Sequence, residues 1–212
     1  MNKVARVIWN ELLPSSPVFS TAEVAERAGI ALSNASRDLA ELARDGIVTR
    51  IRRGLWAVPK HPDFSPYAVV PHLLAEQPGG YVSLLSALNL HGMIDQIPRV
   101  VHVVTTGQRP VLKTPTATYE FYKIQADLFG GFKLYRRTGN FDIATPEKAL
   151  FDTLYFSARK GRRFAFLPEL DVPANFSASE MERWIALIDH PPLRIAVRKR
   201  WERLADRVGV GA

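Results

Sequence analysis

The sequence has 212 residues, of which 47% are hydrophobic and none is cysteine. That length allows one large domain or two modest ones with a real core, and the missing cysteines exclude disulfides, thiol catalysis and thiolate metal sites. The formal net charge of +7 favours a polyanionic partner, with nucleic acid the first expectation.

No apolar run approaches the roughly 18 residues that a membrane helix needs. The opening stretch MNKVARVIWNELL carries Glu11 and lacks an apolar core followed by a cleavage site, so it does not read as a secretory signal. A cytoplasmic protein without membrane contact is therefore expected.

Val4, Ile8, Leu12 and Leu13 recur at helical spacing and predict a first helix ending before Pro14. Ser20 followed by Glu23 is a capping box, and Phe19 and Val24 are placed as its hydrophobic staple. A second helix should run from there to about Ala28, with Gly29 in a tight turn. A third should cover about Leu32 to Asp45, burying Ala35, Leu39, Leu42 and Ala43. Ala31 stands where a capping Ser or Thr would serve that helix better. Gly46 ends it, Val48 to Arg52 alternates as a strand, Arg53-Gly54 turns, and Leu55 to Val58 returns.

Helices followed by a β-hairpin in this order make a winged helix-turn-helix. In such folds the third helix enters the major groove with its first exposed residues at the base edges. Those residues are Ser33, Asn34, Ser36 and Arg37. Asn34 has the chemistry to pair with adenine and Arg37 with guanine, and either can instead hold phosphate. Arg50, Arg52 and Arg53 on the hairpin, with Lys60 beyond it, are expected on the DNA backbone or in the minor groove.

Pro59 to Pro66 contains three prolines in eight positions and reads as a linker. The expected division is a winged helix-turn-helix domain over 1–60, the linker over 59–66, and a mixed α/β effector domain over 67–212. The fold class is α+β. In the second part, helices are predicted over 67–77 and over Leu84 to Leu90, the latter ending near His91-Gly92. Strands are predicted at Val100 to Val104, Thr116 to Tyr122 and Gly131 to Arg136. Thr145-Pro146-Glu147 starts another helix, with Leu150, Leu154 and Tyr155 inward, Glu147 as a first-turn acid and Lys148 solvated. Ser177-x-x-Glu180 reads as a second capping box. The last helix buries Val197, Trp201, Leu204 and Val208 and turns Arg194, Lys199, Arg200, Arg203 and Arg207 outward.

Three stretches of this second part resemble a known family. They are Tyr81-Val82-Ser83-x-x-Ser86-Ala87-Leu88-x-x-His91-Gly92, then Asp95-Gln96-Ile97-Pro98 with Val100 to Thr105, then Ala144-Thr145-Pro146-Glu147-Lys148-Ala149-Leu150-Phe151-Asp152. The chain is similar to the AbiEi family of antitoxin-like transcriptional regulators, which also carry an N-terminal winged helix. The resemblance implies autorepression of an operon at its own double-stranded promoter, a neighbouring nucleotidyltransferase-like toxin as partner, and antitoxicity in the second domain. Some relatives regulate without a toxin.

An enzyme is not expected. There is no Gly-x-Ser-x-Gly elbow, no phosphate loop, and no metal-ligand spacing among the five histidines. No catalytic residue, metal or cofactor is assigned. A secondary basic surface is expected at Arg159, Lys160, Arg162 and Arg163 and at Arg198, Lys199 and Arg203; a solvated helix exterior explains the same residues. The reading is a DNA-binding repressor of the antitoxin type. A protein-interaction module, a stand-alone regulator and an enzyme with a DNA-targeting domain stand as alternatives.

Overall fold

The computed structural model describes residues 3–75, 79–137, 139–159, 164 and 167–209. They form two compact units. The first is Met1–Leu73 with Leu112–Thr118 and Tyr135–Phe141; the second is Leu74–Val111, Tyr119–Leu134 and Asp142–Ala212. Where the sequence suggests a joint at 59–66, turns close through His61 N–H to the Val58 carbonyl (3.0 Å) and Phe64 N–H to the His61 carbonyl (3.0 Å), and the first unit runs on past them.

The first unit opens with helix α1 (Lys3–Val7), which widens into a π-turn over Ile8–Leu12. Leu13 N–H reaches back five residues to the Ile8 carbonyl at 2.9 Å. The sequence predicts one uniform helix here. The apolar spacing of Val4, Ile8, Leu12 and Leu13 fits a uniform helix equally well, so the one-residue widening over Ile8–Leu12 leaves no mark in the sequence pattern.

Strand β1 (Val18–Ser20) comes next and has no counterpart among the predicted elements, because three residues after Pro17 carry no readable period. Helix α2 (Thr21–Ala28) starts at the predicted capping box, with Ser20 Oγ accepting from Glu23 N–H at 3.1 Å and Glu23 Oε2 accepting from Ser20 N–H at 2.6 Å. Phe19 and Val24 are buried beside it. Gly29 ends the helix at φ +59°, a left-handed conformation that suits glycine. Helix α3 (Leu32–Arg44) buries Ala35, Leu39 and Leu42, and its N-cap Ala31 gives no side-chain cap. Strands β2 (Thr49–Arg52) and β3 (Leu55–Ala57) form the hairpin. β3 is central in a three-stranded antiparallel sheet, with β1 on one side and β2 on the other. Three helices and this sheet enclose one core that includes Val4, Ile8, Val24, Ala35, Leu39 and Trp56.

The predicted helix over 67–77 is instead a 3₁₀ turn (Pro66–Val69) and the short helix α4 (Val70–Leu74); residues 76–78 lie outside the described residues. Next come β4 (Gly80–Val82), α5 (Leu84–Leu90), β5 (Val101–Thr105), β6 (Leu112–Lys113), β7 (Thr118–Lys123), β8 (Phe132–Tyr135) and β9 (Phe141–Ala144). Helices α6 (Pro146–Ala158), α7 (Ala178–Ala186) and α8 (Pro191–Val208) complete the chain.

In the second unit, five strands of one sheet run in the order β7-β5-β4-β9-β8. β4 and β5 are antiparallel, while β5 runs parallel to β7 and β4 parallel to β9. β5 has all five residues buried, as a strand covered on both faces must be. Helix α6 is buried on nearly every side, from Lys148 to Tyr155, and packs against α5, α7 and α8. The fold is α+β, a winged helix-turn-helix followed by a mixed sheet with helices.

Candidate nucleic-acid interface

Burial of Ala35, Leu39 and Leu42 fixes how α3 is rotated in its unit. The opposite face is therefore set as well. Ser33, Asn34, Ser36 and Arg37 are all exposed there. Ser33, Arg37, Ala40 and Arg44 succeed one another at helical spacing along a stripe free of large apolar side chains. Among the described residues Arg37 approaches only Asp38, at 3.8 Å and with 69% of its side chain in solvent, so its guanidinium is available to another partner. Leu32, 58% exposed, stands at the helix start beside them.

The hairpin arginines divide. Arg53 is exposed at the turn and Lys60 is exposed beyond the sheet. Arg50 is exposed and its guanidinium lies over the Trp56 ring, 5.7 Å from its centroid. Arg52 does not stand out with them: it is half-buried, and its Nη2 donates to the His72 carbonyl at 3.1 Å. The register explains this. Arg50 pairs with Trp56 but Arg52 pairs with Leu55, so Ile51 is an extra residue forming a bulge. A bulge re-aims the side chains around it, and simple alternation no longer holds. Burial pushes the His72 imidazole below its ordinary value; Glu23 opposes that shift and Arg52 adds to it.

Trp56 also ties the hairpin to the helices. Its Nε1–H donates to Thr21 Oγ1 at 2.8 Å, and Thr21 N–H donates to the Gly54 carbonyl at 2.9 Å. The turn bearing Arg53 is thus bonded to the first residue of α2.

In the second unit the secondary basic residues are less free. Arg198 pairs with Glu182 at 3.0 Å, and Arg200 donates to the Ser157 carbonyl at 3.3 Å. Lys199 and Arg203 are exposed. Arg159 is exposed over the Tyr155 ring at 5.5 Å. Lys160, Arg162 and Arg163 lie outside the described residues.

Two expectations about α6 are overturned. Lys148 is not solvated: it has no exposed surface, and its Nζ donates to Asp152 Oδ1 one turn later. Asp152 also accepts from Ser83 Oγ at 2.7 Å and from the Tyr81 hydroxyl at 3.2 Å. Trp184 and Phe151 present ring faces 4.7 and 4.8 Å from the Lys148 ammonium. Burial lowers the Lys148 pKa and raises that of Asp152, each against the pull of the other's charge. Burial also holds the Tyr81 phenol well above its usual range, with Asp152 adding to it. Glu147 is more than a first-turn acid, because its Oε1 accepts from Ser177 N–H at 3.1 Å. That bond takes the role Glu180 would have played in a reciprocal capping box; Glu180 pairs instead with Arg183 at 2.7 Å. His91 caps α5 as its backbone suggests, and its ring Nε2 lies 2.7 Å from the Ala144 carbonyl. One sequence signal could have found the buried pair. A helix apolar all round is buried, and charges four apart within it must meet each other.

Among the described residues no cluster of His, Asp and Glu could hold a metal ion, and no helix is long and apolar enough to cross a membrane. No curated protein sequence matches the chain. A crystal structure of the RV2827C protein from Mycobacterium tuberculosis is similar, with a TM-score of 0.55 and 17% identity over 99% of this chain and 75% of that one; at that identity the likeness is one of fold. The family model described as "Transcriptional regulator, AbiEi antitoxin" matches residues 10–59, the segment from the π-turn to the end of the hairpin sheet. The family resemblance read in the sequence is therefore found again over the helix-turn-helix segment, as similarity to the AbiEi antitoxin-regulator model.

Proposed function

We propose that this protein is a sequence-specific DNA-binding transcriptional regulator, an antitoxin that represses its own operon. The carrying observation is the exposure of Ser33, Asn34, Ser36 and Arg37 on the face of α3 that the core leaves outward. In this reading α3 enters the major groove, with Asn34 suited to adenine and Arg37 to guanine. Arg50, Arg53 and Lys60 neutralise phosphate beside it, and Arg52 supports them from the His72 carbonyl. Residues 1–60 act as the DNA-binding domain and residues 67–212 as the effector domain that meets a nucleotidyltransferase-like toxin. The basic side chains of Arg159, Lys199 and Arg203 offer that partner, or the DNA, a secondary contact. The protein works in the cytoplasm and carries out no chemistry of its own.

The family match over residues 10–59 supports the regulatory part of this reading, and the net charge of +7 supports the nucleic-acid part. Footprinting the full chain on its own promoter at about 100 mM salt is the test. A protected site that disappears with Arg37→Ala is expected. No protection anywhere on the promoter would remove the proposal.

A further inference from the structure

A cleft of about 680 Å³ opens in the second unit, beside the last residues of β7 and the segments that leave β5 and β7. Those two strands are parallel and in register to their ends, Thr105 opposite Lys123. The crevice outside the carboxyl ends of parallel strands is where open α/β sheets hold ligands, and this volume falls in the range of small-molecule sites.

The lining has a definite chemistry. Arg109, Lys123 and Arg159 bring three cations, and among the described residues no carboxylate lines the cleft. Such a one-signed wall attracts an anion of several charges. Phe121 and Phe156 supply aromatic surface, and the half-buried Arg109 guanidinium lies 5.6 Å from the Phe121 ring centroid. A flat aromatic ligand stacks on such a platform. Gln108 and Gln125 add amides that donate and accept at once, as a base edge requires. Multiple negative charge, a flat ring and a mixed hydrogen-bonding edge occur together in a nucleoside polyphosphate. We propose that this cleft binds a nucleoside triphosphate, its base against the Phe156 ring and its phosphates toward Arg109, Lys123 and Arg159. The site belongs to the second unit, whereas the proposed DNA-reading face belongs to the first, and it gives the regulator a small-molecule input.

The test is calorimetric titration of the full chain with ATP and with GTP. At least one should bind one-to-one with a Kd at or below about 100 µM. Inorganic tripolyphosphate and the matching nucleoside should each bind at least about tenfold more weakly. The double variant Lys123→Ala with Arg159→Ala should weaken nucleotide binding about tenfold or more with an unchanged melting temperature, and Lys123→Ala alone, which leaves Arg159 in place, should keep promoter affinity unchanged. Should the double variant melt early, Lys123→Gln alone must still weaken binding at the native melting temperature. Absence of heat with both nucleotides up to about 5 mM overturns the proposal. So does tripolyphosphate binding as tightly as the nucleotide, which would mark a general anion patch. A thymidine oligonucleotide binding more tightly than either nucleotide overturns it in favour of a single-strand groove. Binding unaffected by the variants overturns it by placing the ligand elsewhere.

Discussion

Lys148 and Asp152 face each other one helical turn apart on α6, and neither has any surface exposed to solvent. Removing two charges from water is costly, and mutual attraction with extra hydrogen bonds must compensate. Tyr81 and Ser83 provide those extra bonds to the carboxylate. Lys148→Met should therefore cost about 3–5 kcal/mol, because it strands a buried carboxylate. Lys148→Met combined with Asp152→Leu should cost less than that single change. Urea denaturation of the wild type, both single variants and the double variant measures the coupling; a double variant weaker than either single would contradict it.

Gly131 holds φ at +69°, and a Cβ there would lie 2.6 Å from the Trp184 ring and 3.0 Å from Lys148 Cγ. Both neighbours are themselves packed in the buried cluster. Gly131→Ala should destabilise by about 1–3 kcal/mol through backbone strain and overlap. Gly54→Ala, also at positive φ but with open space around it, should cost less. Thermal melts of the two variants compare strain plus overlap with strain alone.

The lowered pKa of His72 has a pH consequence. Burial is its main cause, so the folded imidazole resists a proton that the unfolded one accepts near 6.5. The unfolded state then binds more protons, and stability falls as pH falls. Stability from this group should be fully present above about pH 6.5 and decline as the pH is lowered past it. His72→Gln should flatten that part of the profile. Urea midpoints between about pH 7.5 and pH 5.5 decide the matter, and an identical slope in the variant would exclude His72 as its source.

If α3 reads bases and the hairpin holds phosphate, two kinds of mutant should behave differently on DNA. Arg37→Ala should lose about 1–3 kcal/mol on the operator and discriminate less at one base pair. Arg53→Ala should weaken operator and unrelated DNA alike and lower the salt slope by about 1. Arg52→Ala should also lower the melting temperature, since it breaks the bond to the His72 carbonyl. Fluorescence anisotropy across a salt series separates the three.

The first unit is largely legible in the sequence because its signals are local. Ser20 and Glu23 bond each other within one turn, and the apolar stripe of α3 alone determines which of its residues face outward. The features that escape sequence reasoning depend on long-range partners. Nothing near Arg52 announces that a bulge at Ile51 will turn it toward His72. Lys148 resembles a surface lysine until Tyr81 and Ser83, some seventy positions earlier, are brought to the same carboxylate. Glu147 likewise finds Ser177 thirty residues on. The motifs that carry the family resemblance, at Tyr81 to Gly92 and Ala144 to Asp152, meet at these residues, so their meaning is visible only in three dimensions.

The central place of β3 has a mechanical consequence. Both of its edges are occupied, by β1 and by β2, and its Trp56 and the neighbouring Gly54 are latched to Thr21. The hairpin cannot hinge without breaking the sheet and loosening the start of α2. The distance between the outward face of α3 and the tip at Arg53 is therefore preset, like the jaws of a fixed gauge. If α3 and the hairpin engage a duplex as proposed, that duplex must adjust its own groove width or curvature to the gauge, so its deformability becomes part of what is selected.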